Sequence, residues 1–79
     1  MLEELKNSEK VVGIKQSRRA LDGRVVKTIF LARDADPALV EPLEAQAREC
    51  GVGVCWVDTM RALGAACGIA VGAAVAATV

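Results

Sequence analysis

The stretch Ala62-Leu63-Gly64-Ala65-Ala66-Cys67-Gly68-Ile69-Ala70-Val71-Gly72-Ala73-Ala74-Val75-Ala76-Ala77-Thr78-Val79 carries no charge. Three readings compete for it: a short membrane anchor, the last helix and strand of a packed core, or an apolar loop that meets a ligand. As a span it falls at the lower length limit, and Gly64-x-x-x-Gly68 and Gly68-x-x-x-Gly72 imitate a helix-dimerisation face. Its composition argues against insertion, because Ala, Gly and Thr transfer poorly into hydrocarbon and no aromatic or basic residue flanks the far end. A helix capped by Asp58, running through Ala66 and stopped by Gly68, followed by a buried strand over residues 73–78, explains the same letters without a membrane.

Working outward, the rest of the chain alternates in the same way. Residues 2–8 read as a short helix with Leu2 and Leu5 on one side, and Val11-Val12-Gly13-Ile14 as a brief strand. Residues 15–22 return to helical character, with Ala20 and Leu21 facing inward and Gly23 as the C-cap. Residues 25–32 are β-branched and nearly continuous, which predicts a central strand buried on both faces. Asp34-Ala35-Asp36-Pro37 stops it; Asp36 is placed to accept from free amides and Pro37 suits a first-turn position. Pro42 sets the expected start of the main helix, which runs to about Cys50 and ends at Gly51. Residues 52–57 form the next strand. The order α-β-α-β-α-β-α-β with short connections predicts an α/β fold, a three-layer α-β-α sandwich around a four-stranded mixed sheet, in one domain over residues 1–79.

At 79 residues a single core is near the size at which folding needs no staples, so little chain is left for a deep catalytic pocket. The opening Met1-Leu2-Glu3-Glu4-Leu5-Lys6 is charged and amphipathic rather than a secretory leader, and the expected location is cytoplasmic. Cys50, Cys55 and Cys67, with no histidine in the chain, fit neither a disulfide framework nor a metal half-site. Buried thiols acting as small hydrophobes are expected, with a redox or metal role as the lesser alternative. Ser8 and Ser17 have no partner motif, and no Gly-rich loop leads into Lys-Ser/Thr. Asp34 and Asp36 are better explained as turn and cap residues than as an acid/base pair or metal ligands. No enzyme, cofactor or metal is expected.

The formal charge of zero hides a separation. Residues 10–33 carry Lys10, Lys15, Arg18, Arg19, Arg24, Lys27 and Arg33 against Asp22; residues 34–58 carry Asp34, Asp36, Glu41, Glu44, Glu49 and Asp58 against Arg48. This is either two ordinary solvated faces or one face with a usable positive potential. Gly13-Ile14-Lys15-Gln16-Ser17-Arg18-Arg19-Ala20-Leu21 favours the second. Glycine at a strand end admits a close ligand, the following helix aims free amides at it, and Lys15 and Gln16 share the first turn with Arg19 one turn on. Such a tip suits guanine O6/N7 acceptors, adenine edges and phosphates, with Arg18 and Lys10 holding the backbone.

Three stretches, Gly13 to Leu21, Ala32-Arg33-Asp34-Ala35-Asp36-Pro37, and Leu63 to Ala74, resemble the signature segments of the ribosomal L7Ae family. The likeness is to its small bacterial branch, the YbxF-type ribosome-associated proteins, and covers nearly the whole chain. It implies a non-catalytic α-β-α sandwich that binds kink-turn RNA, a sharply bent helix-bulge-helix with tandem sheared G·A pairs. Carried across by position, it implies that Lys15, Gln16 and Arg19 contact those pairs. Archaeal members have Asn-Glu where this chain has Lys15-Gln16; the bacterial branch shares Lys-Gln. Gly23 precedes Arg24 here, the reverse of the usual family order. The resemblance also implies that Cys67, Gly68, Ile69, Ala70 and Val71 form an apolar loop against the bulge, where splayed bases accept contacts a regular duplex does not offer.

The chain is therefore expected to bind kink-turn RNA as a monomer, on the ribosome and in ribosomal RNA or a riboswitch leader, by selecting the bent form. Two rivals stand beside this reading. One is a protein-interaction module of the same fold, using Glu41, Glu44 and Glu49 and ignoring RNA; the other is a small membrane-anchored protein.

Overall fold

The structure is a computed structural model that describes residues 2–79, the side chain of Leu2 excepted. Its elements follow in the order α1 (Leu2–Asn7), β1 (Lys10–Val12), α2 (Ile14–Asp22), β2 (Thr28–Ala32), α3 (Pro37–Glu49), β3 (Gly53–Val57), α4 (Met60–Ala66) and β4 (Val75–Thr78). The strands form a four-stranded sheet in the order β1-β4-β2-β3. β4 runs antiparallel to both β1 and β2, whereas β2 and β3 are parallel. The sheet is thus mixed, as the alternation of elements predicts.

Ile29, Phe30, Leu31 and Ala32 are all fully buried. Successive strand residues point to opposite faces, so an uninterrupted buried run requires cover on both sides. Helices supply it: α2 packs with α3, and α1 with α4. β4 is buried throughout, and its small Val75, Ala76 and Ala77 let the layers approach closely. α3 buries Val40, Leu43 and Ala47 at helical spacing, while α2 buries Ser17, Ala20 and Leu21.

Several boundaries move. The main helix begins at Pro37, not Pro42: Asp36 Oδ1 accepts from the Ala38 amide at 3.0 Å, and Pro37 takes the first turn. Pro42 lies inside the helix on its exposed side, where water can satisfy the carbonyl whose bond the ring removes. The central strand begins at Thr28, leaving Val25 56% exposed. The preceding helix takes those residues for its termination, with Arg24 N–H donating to Leu21 O at 3.0 Å and Val25 N–H to Ala20 O at 3.2 Å. This is a Schellman closure, and its left-handed residue is Arg24 at φ 57° rather than a glycine. Gly23 is the C-cap but keeps a right-handed conformation.

Ile14 opens α2 instead of ending β1, and β4 starts at Val75 rather than Ala73. Thr59, not Asp58, caps α4, its Oγ1 accepting from Ala62 N–H at 3.0 Å. Asp58 is instead loosely paired with Arg33 at 3.6 Å. Of the three cysteines only Cys55 is buried; Cys50 and Cys67 are half-buried. Among the described residues no helix is long and apolar enough to cross a membrane. The uncharged stretch is divided between α4, a loop and β4.

Candidate nucleic-acid interface

β1, β2 and β3 end at the edge of the sheet where β4 begins. Gly13 lies just past β1 and turns the chain into α2 with φ 104° and ψ 161°, a region that costs any other residue strain. Space around its Cβ position is open, so the backbone angle and not crowding demands glycine. Among the described residues no side chain caps α2. Its first amides, at the positive end of the helix, are left for an outside acceptor.

Lys15, Gln16, Arg18 and Arg19 are exposed. Among the described residues none of their side chains makes a hydrogen bond or ion pair. Lys15, Arg18 and Arg19 line a shallow groove along α2 with Asp22. Asp22 is occupied elsewhere, accepting from Gln46 Nε2 of α3 at 2.6 Å, so the three cations stay without a carboxylate partner. The acids gather on α3, where Glu44 is paired with Arg48 at 2.8 Å while Glu41 and Glu49 are exposed. The cations of α2 and the acids of α3 thus stand on neighbouring helices, while Arg33 and Asp58 pair across the two blocks.

Beside this tip lies the apolar loop. α4 ends in a second Schellman closure, with Gly68 at φ 78°, Gly68 N–H donating to Ala65 O and Ile69 N–H to Gly64 O, each at 3.1 Å. Gly68, Ile69, Ala70, Val71 and Gly72 are then all exposed, Val71 by 71%. The loop folds back over α4. A Cβ on Gly64 would overlap the Val71 carbonyl oxygen and lie 3.1 Å from Gly72 Cα, and one on Gly72 would lie 3.1 Å from Met60 Cβ. The glycine spacing that imitates a dimerisation face thus serves contact between a helix and its own following loop.

Two links join tip and loop. Gly13 N–H donates to Val75 O at 2.9 Å, tying the start of α2 to the end of the loop segment. Lys10, half-buried, stands close enough to Cys67 for its charge to act on the thiol; burial pushes the Cys67 pKa up and the ammonium opposes it. Ile14 and Cys67 are half-buried and pack against the core. The start of α2 and the end of the loop segment therefore meet at one rim of the sheet, while Lys10 enters β1 opposite Thr78, at the other end of β4.

Three residues of this rim are not read as functional from sequence. Asp34 Oδ1 accepts from Met60 N–H at 2.7 Å, so it caps α4 from 26 residues away. Gly64 and Gly72 form the loop contact already described. The Asp34-to-Met60 partnership has no local signal, since it exists only once β2 and β3 pair. Trp56 is half-buried on the edge strand β3 with Arg33 5.9 Å from its ring centroid. Among the described residues no cluster of three or more metal-ligating side chains is found.

The sequence matches the profile of the ribosomal protein L7Ae/L30e/S12e/Gadd45 family over residues 2–79. An RNA-binding protein of Bacillus pumilus (strain SAFR-032) is 50% identical over 64 residues, 81% of this chain and 78% of that protein. The RNA-binding protein YbxF of Geobacillus stearothermophilus is 45% identical over 64 residues, with the same 81% and 78% coverage. In architecture the chain is similar to the Giardia lamblia 15.5kD RNA binding protein, with TM-score 0.91, 24% identity, and coverage of 98% of this chain and 68% of that one. At that identity the likeness speaks to the fold.

Proposed function

The chain belongs to the ribosomal protein L7Ae/L30e/S12e/Gadd45 family, and from that premise we propose that it is a non-enzymatic protein that recognises kink-turn RNA and holds it bent. The observation carrying this reading is the junction of two unlike surfaces, an uncompensated cationic helix tip and an exposed uncharged loop, through the Gly13 to Val75 hydrogen bond. A regular duplex offers phosphates and stacked bases, for which the loop has no use. A kinked RNA offers G·A edges beside a bulge with a splayed nucleotide, and fits both halves at once.

In this reading Lys15, Gln16 and Arg19 contact the G·A pairs, the free amides of α2 and the Arg18 and Lys10 side chains meet phosphates, and residues 67–71 pack on the bulge. The protein needs no chemical step. An RNA that samples straight and bent forms is shifted by the protein's differential affinity for the bent one. Cytoplasmic location, monomeric state and association with the ribosome belong to the same proposal, with ribosomal RNA or a riboswitch leader as the RNA. The relatives named as RNA-binding proteins support it over a protein-interaction module, as does the pairing of Glu44 within its own helix.

The test is titration into a kink-turn RNA and into the same RNA with both G·A pairs replaced by Watson–Crick pairs. Tighter binding to the first is expected, and Lys15→Ala and Arg19→Ala should each weaken it by about 1–3 kcal/mol. Arg18→Ala should lower the slope of log affinity against log salt by about one, as loss of a phosphate contact does. Equal affinity for the two RNAs contradicts the proposal.

A further inference from the structure

Met60 is one of the residues that hold the far end of the exposed loop after α4. Ala73 N–H donates to Met60 O at 3.0 Å. A Cβ on Gly72 would lie 3.1 Å from Met60 Cβ and 3.3 Å from Met60 C, so glycine there permits the close approach. Met60 is also the first residue of α4, where its amide has no partner within the helix. That amide donates to Asp34 Oδ1 at 2.7 Å. Thr59, the N-cap, serves the Ala62 amide instead, so two of the free donors of the first turn are divided between Thr59 and Asp34.

Asp34 is itself placed by the sheet. Its neighbours are pinned, with Ala32 N–H on Ala74 O at 2.9 Å and Arg33 N–H on Val57 O at 2.8 Å. A carboxylate in the turn after β2 thereby fixes the helix start from which the loop is hung. The geometry points to Asp34 as a positioning residue for RNA recognition: acting through Met60, it sets where Ile69 to Val71 stand relative to the tip of α2. This rests on the RNA-binding reading for its functional half, whereas the loop geometry does not depend on any ligand.

Asp34→Ala and Asp34→Asn separate this from plain electrostatics. Removing an acid near an RNA site by repulsion alone would make both variants bind tighter. Positioning makes Asp34→Ala weaker by about threefold to tenfold, the worth of a hydrogen bond, while Asp34→Asn, whose side-chain oxygen still accepts, keeps at least the parent affinity. Because no phosphate contact is lost, the plots of log affinity against log salt for parent and Asp34→Ala should be parallel. The loop is read without RNA through hydrogen exchange at the Ala73 amide, which should quicken in Asp34→Ala and stay at the parent rate in Asp34→Asn. If Asp34→Ala does not fold, Asp34→Glu keeps the charge, displaces the acceptor by one methylene and should show the same two losses. Parent-like Ala73 exchange in a folded Asp34→Ala protein overturns the inference, as does tighter RNA binding by both Asp34→Ala and Asp34→Asn. A parent that fails to prefer the kink-turn refutes the proposed function instead, and Ala73 exchange still decides the positioning.

Discussion

Gly64→Ala sets two physical effects of opposite sign against each other. Gly64 is buried within α4, and replacing a helical glycine by alanine ordinarily stabilises by about 0.5–1 kcal/mol. Here the added methyl would overlap the Val71 carbonyl oxygen and lie 3.1 Å from both Gly72 Cα and Val71 C, inside the usual carbon contact of about 3.5–4.0 Å. All three atoms are backbone, so no side chain can turn aside. Overpacking of this kind costs roughly 1–3 kcal/mol, which leaves a net loss of up to about 2.5 kcal/mol and a midpoint lowered by up to roughly 20 °C in a domain this size. The loop can relax only by lifting off α4, which strains the Ala73 to Met60 bond and displaces Ile69 and Val71. RNA affinity should therefore fall even at temperatures where the variant is fully folded. Thermal unfolding by circular dichroism and titration at a temperature well below both midpoints measure the two effects. A midpoint at or above that of the parent, with unchanged affinity, would refute the close helix–loop contact on which the account of this segment rests.

Other outcomes follow from the termini and buried groups of the helices. Arg24→Gly should raise stability by about 1 kcal/mol in a denaturant titration, because Arg24 sits at φ 57° in a position that favours glycine. Ser17→Ala should be neutral or stabilising in the same assay, since the fully buried Ser17 Oγ has no hydrogen-bond partner among the described residues; a loss above about 1 kcal/mol would mean that the hydroxyl is bonded. Asp36→Ala should cost about 1 kcal/mol through loss of the α3 cap, with Asp36→Asn recovering most of it. Burial raises the Cys67 pKa and Lys10 opposes the rise, so the folded chain holds that proton more tightly than the unfolded one. The resulting stability is present below the unfolded thiol pKa and is lost as pH climbs through the raised folded value. Cys67→Ala should consequently flatten the alkaline decline in stability measured across that window.

The order of elements, the mixed sheet and the division of the uncharged tail were legible because apolar runs, glycines and prolines mark them locally. Phe30 and its neighbours had to be buried on both faces, and Gly68 had to end a helix; both conclusions need only short stretches of chain. Sequence and structure differ where two local signals compete. Asp36-Pro37 and Pro42 both suit a helix start, and the side-chain cap of the first pair outweighs the bond lost at the second. Val25 and Val26 have strand character, but closing α2 through Arg24 uses the backbone that a longer strand would require. Candidate contact residues on α2 were legible by type and spacing, and those in the loop through the family resemblance. The contacts that hold the loop were not, because Asp34 meets Met60, and Gly64 meets Val71, only after the chain has folded.

The proposed selection of a bent RNA can be observed directly through the bend itself. A kink-turn RNA labelled at the ends of its two arms reports the angle by energy transfer between the dyes, under ionic conditions in which the free RNA is mostly extended. Adding the protein should raise transfer saturably, and RNA lacking the G·A pairs should stay extended at the same protein concentrations. Binding with no rise in transfer, or an equal rise in both RNAs, would contradict the proposed selection.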